Sequence, residues 1–332
     1  MKSEVMSHID KMRDKAASLN KTILFPEAEK DIRVLRAAAE ISIRNIATPV
    51  LVGDAEQINK LSDKNELDLP EDILIEPVDN SKTDQQKFDF FAERLAHKNP
   101  TEEQIQSLCS DPLFTGGWLL QKGAADAAVA GSVASTANVI RSAIRTVGVA
   151  ESSSIVSSSF MMEMPDGRVF TYADCAVVPY PDAEQLASIA LDAGKTHLNL
   201  TEEIPRIAFL SFSTKGSAVH ERVELVQHAY KIAAPRKPEW IMEGEVQFDT
   251  AIIPEIAAKK APDSALKGDA NVFVFPNLDA ANIGYKLTER LAGAKATGPI
   301  LQGLAKPYMD LSRGCSVDDI VNTACVGILL SE

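Results

Sequence analysis

Three stretches of this chain place glycine and hydroxyl residues where a strand would run into a helix. At such junctions free backbone N–H groups and the helix dipole favour an anion. The first is Gly131-Ser132-Val133-Ala134-Ser135-Thr136, with Arg141 on the helix that follows. Ser132, Ser135 and Thr136 could hold phosphate oxygens, and Arg141 could add a two-pronged contact if its side chain folds back. The same residues also suit a hydroxyl cap beside a solvated arginine. Pattern alone favours that reading, because no P-loop or dinucleotide consensus is present. The second stretch, Ser211-Phe212-Ser213-Thr214-Lys215-Gly216-Ser217-Ala218, fits a phosphate-bearing ligand and an ordinary strand-to-helix loop equally well.

The third stretch runs Asp310-Leu311-Ser312-Arg313-Gly314-Cys315-Ser316-Val317-Asp318-Asp319. Ser312, Arg313 and Asp319 supply a hydroxyl donor, a fixed positive charge and a carboxylate. Acyl transfer to a thiol needs a base for the thiol proton, and donors or cations for the charge that develops on the carbonyl oxygen and on phosphate. The structural alternative has Ser316 capping a helix whose dipole Asp318 and Asp319 complement, and the residues alone favour it. Cys315 invites a covalent thioester, which requires an activating base nearby. None of the five histidines (His8, His97, His197, His220, His228) lies in this stretch, so a packing cysteine is the better reading. The histidines do not pair at metal-ligand spacing, and no metal site is expected.

The elements that must position these residues follow an α/β pattern with a largely parallel sheet. Residues 22–25 form a strand, 31–44 a helix with Val34, Leu35, Ala38 and Ile41 inward, and 49–52 the next strand, which is one βαβ unit. Strands are expected at 73–76 and 127–130, with helices over 84–96, 102–109, 113–120 and 137–147. The texture changes near Val149. Two extended runs, 154–164 and 169–178, meet at Asp166-Gly167, a dipeptide suited to a tight hairpin. Parallel units then resume with strands at 207–212, 240–243, 271–275 and 300–301, helices at 221–233 and 280–291, and a last helix from Val317.

With 332 residues, 45% hydrophobic and 24% charged, the chain suits two ordinary domains with a cleft between them. A net charge of −13 argues against general nucleic-acid binding, so an anionic ligand must meet a local positive pocket. Val5, Ile9 and Met12 recur at helical spacing among charges, so no signal peptide is expected. No window reaches the ~20 apolar residues of a membrane span. A cytoplasmic protein with four reduced cysteines (Cys109, Cys175, Cys315, Cys325) is the expectation.

Ordered blocks along the chain carry a resemblance. They are Phe25-Pro26-Glu27, Gly131-Ser132 with Ser135-Thr136-Ala137, Arg141, the 211–218 stretch, Glu243-Gly244-Glu245-Val246-Gln247-Phe248-Asp249, Asn271-Val272-Phe273-Val274-Phe275-Pro276, Asn282-Ile283-Gly284-Tyr285-Lys286, Gly298-Pro299-Ile300 with Gly303-Leu304-Ala305-Lys306-Pro307, and Asp310 to Cys315. Over essentially its full length the chain resembles the phosphate acetyltransferase family. The resemblance reverses the preference for plain readings of the first and third stretches. It implies reversible transfer of acetyl between coenzyme A and phosphate, within a ternary complex and without a cysteinyl intermediate. Asp319 would take the thiol proton, Ser312 would donate to the charged intermediate or leaving group, and Arg313 and Arg141 would hold phosphate and carbonyl oxygens. Tyr285 and Lys286 would line the same cleft.

The resemblance also implies two α/β domains like those of isocitrate and isopropylmalate dehydrogenases, with the active site between them, and a homodimer. The expected boundaries are 1–150 plus 303–332 for the first domain and 151–302 for the second. No tightly bound cofactor is expected, coenzyme A serving as substrate. The chain departs from the family pattern where an arginine often stands two residues before the pair matching His97-Lys98. Leu95 occupies that place here and Arg94 is its neighbour, about 100° around a helix, so Arg94 stays outside the expected site. Propionyl or butyryl transfer, a paralogue serving ethanolamine or propanediol breakdown, a nicotinamide-dependent hydroxyacid dehydrogenase and a silent binding relative are the rival readings.

Overall fold

The computed structural model describes residues 7–79 and 84–332. Val5 of the expected N-terminal helical pattern lies outside them. In chain order the elements are His8–Ser18 (α1), Thr22–Phe25 (β1), Ile32–Ile43 (α2), Thr48–Val52 (β2), Ala55–Lys64 (α3), Leu74–Glu76 (β3), Asp84–Arg94 (α4), Glu102–Cys109 (α5), Pro112–Lys122 (α6), Ala127–Ala130 (β4), Thr136–Thr146 (α7), Ser157–Glu163 (β5), Val169–Ala173 (β6), Ala183–Thr201 (α8), Arg206–Leu210 (β7), Glu221–Ala233 (α9), Ile241–Val246 (β8), Phe248–Ile252 (α10), Pro254–Lys260 (α11), Val272–Val274 (β9), Leu278–Ala292 (α12), Lys295–Gln302 (β10), Tyr308–Asp310 (β11) and Val317–Leu330 (α13). They divide into two compact units, one of Met1–Gly148 with Leu304–Glu332 and one of Val149–Gly303.

The first unit is a parallel sheet in the order β11-β4-β1-β2-β3. Strand side chains alternate between its faces. Leu24, Val50, Val52, Ala128 and Ala130 meet Phe91, Leu113, Trp118, Leu120 and Val139 from α4, α6 and α7 in one buried cluster. On the other face α2 and α13 cover the sheet, and a Cβ on Gly327 would stand 3.1 Å from that of Ala127. The expected inward residues of α2 are all buried, and Asp31 caps the helix by accepting from the Arg33 N–H. The strand order has a consequence for the site. It places the C-terminal ends of β11, β4 and β1 side by side, and ligands of open α/β sheets bind outside such ends.

The second unit is mixed, in the order β10-β5-β6-β9-β7-β8. β5 pairs antiparallel with both β6 and β10, and the remaining pairs are parallel. Gly167, at φ +87°, makes the expected β5–β6 hairpin possible. The helix α8, absent from the expected elements, is closed at its start by a capping box of Asp182 and Gln185 and is buried against the sheet through Leu186, Ile189, Ala190 and Ala193. Its neighbour α9 packs on the same face. The opposite face carries α12, with Tyr285 stacked on Phe160 of β5 at 4.2 Å.

Gly131 shows how tightly the strand ends of the first unit meet. Its φ is +105°, and a Cβ there would fall 2.4 Å from Asp310 Oδ1 and 2.6 Å from the Leu311 nitrogen. Gly131→Ala is therefore expected to cost about 2–4 kcal/mol through positive-φ strain and overpacking. The loss would be read as a lower urea unfolding midpoint, and an unchanged midpoint would show that β4 and β11 can part without penalty.

Candidate active site

β1 ends at Phe25, and two residues later Glu27 turns under the end of β4. Its side chain is 5% exposed. Oε2 accepts from the N–H groups of Gly131 (2.7 Å) and Ser132 (2.8 Å) and from the Ser132 hydroxyl (3.1 Å). Oε1 accepts from the N–H groups of Val133 (3.2 Å) and Ala134 (2.6 Å). The run of N–H groups expected to cradle phosphate is thus filled by a carboxylate of the chain itself. Hydrogen bonds to a charged group contribute ~1.5–3 kcal/mol each, and this carboxylate needs no diffusing ligand to make them. Ser132 is buried and serves Glu27. Ser135 caps α7 by accepting from the Asn138 N–H at 3.3 Å. Arg141 is exposed on α7, donating 2.7 Å to Asn138 Oδ1 one turn back.

The stretch 211–218 repeats this solution in the second unit. Buried Glu245 accepts from the Ser213 hydroxyl (2.8 Å), the Gly216 N–H (2.8 Å) and the Gln227 amide (2.7 Å), while the Lys215 ammonium pairs with buried Glu243.

Arg33, on the first turn of α2, ties the first and third stretches together. Its Nη1 donates to the carbonyls of Arg313 (3.0 Å) and Cys315 (2.7 Å). Nη2 donates to the Ser132 carbonyl (3.1 Å) and to Asp31 Oδ2 (2.7 Å), and Nε donates to both Asp31 oxygens at 3.1 Å. A guanidinium has five N–H groups, and all five are used. Burial pushes the Asp31 carboxyl up, but hydrogen bonds from Arg33 and Ser132 outweigh it and leave it below its ordinary value.

The third stretch emerges from this clamp. Ser312 and Arg313 are exposed, and the Ser312 hydroxyl accepts from the Gly314 N–H at 3.4 Å. Asp319 is exposed and sits in a capping box at the head of α13: its Oδ2 accepts from the Ser316 N–H and hydroxyl, both at 2.8 Å, and Oδ1 accepts no hydrogen bond among the described residues. The cap and the candidate base are therefore one residue using its two oxygens differently. Cys315 is 6% exposed, and burial raises its thiol pKa despite the neighbouring Arg33, so it is a poor nucleophile. Asp318 pairs with Arg13 at 3.1 Å.

The structure thus joins Ser132, Arg313 and Cys315 through one guanidinium, with Ser312 next to Arg313 in the chain and with Thr136 and Arg141 on the helix that Ser135 caps. Tyr285 and Lys286 belong to the second unit, where the Lys286 ammonium donates 2.6 Å to Asn282 Oδ1. Leu95 is buried in the core, and Arg94 is exposed, its guanidinium lying where a Cβ on Gly148 would come within 2.4 Å. Sequence reasoning missed Glu27 and Arg33 as parts of the site. The available hint was an acidic residue just past a strand end and an arginine just inside a helix.

Asp310, the last residue of β11, is 1% exposed, and neither of its oxygens has a well-formed hydrogen bond. Burial raises its pKa to about 6. The folded chain therefore keeps a proton there that the unfolded chain, with an ordinary value of 3.8, has released, so stability falls as pH rises through that window. The gap of about two pH units, at ~1.4 kcal/mol each, makes this about 3 kcal/mol. Asp310→Asn is expected to be more stable than wild type by up to that amount at about pH 7, and equal to it near pH 4, in urea titrations. Equal midpoints at both pH values would mean that the carboxyl is satisfied in solution.

Arg33→Lys keeps the charge but not the fork of donors. Amide hydrogen exchange of peptides covering 131–134 and 312–316 is expected to rise ~10-fold or more. Unchanged protection would show that the two segments hold their places without Arg33.

Comparison with known proteins places the chain in a family. A family model described as phosphate acetyl/butaryl transferase matches residues 7–328. A phosphate acetyltransferase of Acetivibrio thermocellus is 43% identical over 326 residues, covering 97% of each chain. Two solved structures, an EutD phosphotransacetylase from Staphylococcus aureus (39% identity, TM-score 0.90) and a phosphotransacetylase from Streptococcus pyogenes (37% identity, TM-score 0.91), each match over 98% of both chains. By these matches and by its own motifs, the chain belongs to the phosphate acetyl/butaryl transferase family.

Proposed function

We propose that this protein is a phosphate acetyltransferase, an acyltransferase moving acetyl reversibly between coenzyme A and inorganic phosphate by direct attack in a ternary complex. Family membership and relatives named for that activity support the reaction class. The observation that carries the site is the Arg33 clamp, which holds the segment leading to Ser135 and Arg141 beside the segment bearing Ser312 and Arg313.

In the thioester-forming direction, the open oxygen of Asp319 accepts the proton of the coenzyme A thiol. The thiolate adds to the acetyl carbonyl of acetyl phosphate. Arg313, Arg141 and the Ser312 hydroxyl stabilise the charge on the carbonyl and phosphoryl oxygens, and the carbon–oxygen bond to phosphate then breaks. Ser135, whose hydroxyl proton is not taken by any hydrogen bond among the described residues, holds phosphate oxygens. Ser132 and Thr136 shape the loop that carries it. Tyr285 and Lys286 are proposed to touch the same substrates.

The acidic surface does not prevent binding of two anions. Screening beyond ~8 Å weakens the distant carboxylates, while guanidinium groups act at contact. Coenzyme A comes and goes as a substrate, and a cytoplasmic homodimer is the proposed state. Among the described residues no helix is long and apolar enough to cross a membrane.

The test is thioester formation from coenzyme A and a panel of acetyl, propionyl and butyryl phosphates. Acetyl phosphate is expected to give the highest kcat/KM, with ~10-fold or greater preference per added methylene. A preference for butyryl phosphate would move the assignment to that acyl class, and no turnover of any acyl phosphate would end it. In the same assay Arg313→Gln and Asp319→Asn are each expected to lower kcat ~10²-fold or more, and the Asp319→Asn rate should recover in part as pH rises. Near-normal rates would remove the residue from the mechanism.

A further inference from the structure

At the strand ends of the first unit nearly every polar group has a partner. Glu27 holds four N–H groups and a hydroxyl, Arg33 spends its five donors, and the Leu311 N–H donates to the Ala130 carbonyl at 2.8 Å. Asp310 is the exception. Its carboxyl is buried with neither oxygen in a well-formed hydrogen bond, directly across from Ala130 in the β4–β11 register and on a strand that packs against α7, the helix that starts at Thr136. It therefore stands at the root of both proposed site segments, since one continues from Ala130 into 131–136 and the other from Asp310 into Ser312 and Arg313.

The groups that face it set its options. Burial, and then Glu27 from the loop after β1, disfavour its charge, while the Thr136 hydroxyl and the Leu311 N–H favour it. No Lys or Arg forms an ion pair with it among the described residues. An asparagine would fill the same volume without the burden of a buried charge. A chain that carries this burden beside its reaction site has a use for the carboxyl there.

We propose that Asp310 is a positioning residue for the transfer reaction: from beneath both segments its unfilled carboxylate takes the Thr136 hydroxyl and so fixes the first turn of α7 against Ser312 and Arg313. The inference rests on the function proposed above. It gives Thr136 a role through Asp310, and it leaves phosphate to Ser135 and the arginines. As the acceptor, Asp310 works in its ionised form, so activity should fall as pH drops through its titration.

The test uses the full-length protein, with thermal unfolding and steady-state kinetics from acetyl phosphate and coenzyme A between about pH 5 and 9. Asp310→Asn is expected to melt higher than wild type at neutral pH yet lose ~30-fold in kcat, the equivalent of one charged hydrogen bond, with KM for coenzyme A little changed. Wild type is expected to show an acid limb near pH 6, and the variant's pH–rate profile should lack it. Thr136→Val should lose a similar factor, Thr136→Ser should restore it, and the double variant Asp310→Asn/Thr136→Val should be no worse than either single one.

Wild-type kcat in Asp310→Asn, or additive losses in the double variant, would overturn the proposal. If Asp310→Asn does not fold, the Thr136→Val arm decides: wild-type kcat with the acid limb unmoved overturns it, and loss of both upholds it. A wild type that forms no thioester from acetyl phosphate would instead overturn the reading of function, and this inference with it.

Discussion

Arg33 has five N–H groups, and the chain uses every one of them on itself. Three reach backbone carbonyls on segments far apart in sequence, one after β4 and one after β11. The other two reach Asp31, which caps the helix that carries Arg33. A lysine could make no comparable set, because its ammonium lacks the planar fork. The guanidinium is therefore closed to a ligand and acts as a frame for residues that remain open, Ser312 and Arg313 on one side and the helix bearing Ser135 and Arg141 on the other. Fixing such groups before substrate arrives is what lets their charge act without reorganisation during the reaction.

The same economy appears in the two glycine- and hydroxyl-rich loops. Each has the backbone geometry of an anion site, and in each a buried glutamate of the chain supplies the anion, Glu27 in the first unit and Glu245 in the second. This stiffens the loops and removes their N–H groups from competition for phosphate. The charge needed to bind anionic substrates on a chain of net charge −13 must then come from side chains. Arg141 and Arg313 are exposed and free of carboxylate partners among the described ion pairs, which suits them to that task.

Much of the fold was legible because local pattern and tertiary demand agreed. The 22–52 unit has a periodic apolar face, an N-cap and a β-branched strand, and its structure follows the expected ends to within a residue. α8 was not anticipated, although Asp182 and Gln185 form the spacing of a capping box, because a helix buried along much of its length lacks a clear polar face. β11 was missed since three residues, one of them an aspartate, give no periodicity to read. The candidate side chains at 132–141 and 312–319 were visible as types in a pattern. What joins them was not, because the adjacency β11-β4-β1 brings together residues from both ends of the chain, and neither the burial of Asp310 nor the reach of Arg33 can be seen before that order is known.

A crystal structure with inorganic phosphate bound tests this account most directly. It predicts that Glu27 keeps the N–H groups of 131–134, that Arg33 keeps its bonds to Asp31, Ser132, Arg313 and Cys315, and that phosphate lies on the side chains of Ser135, Ser312 and Arg313. A phosphate that displaces the Glu27 carboxylate, or that draws Arg33 away from the carbonyls it now holds, would contradict it.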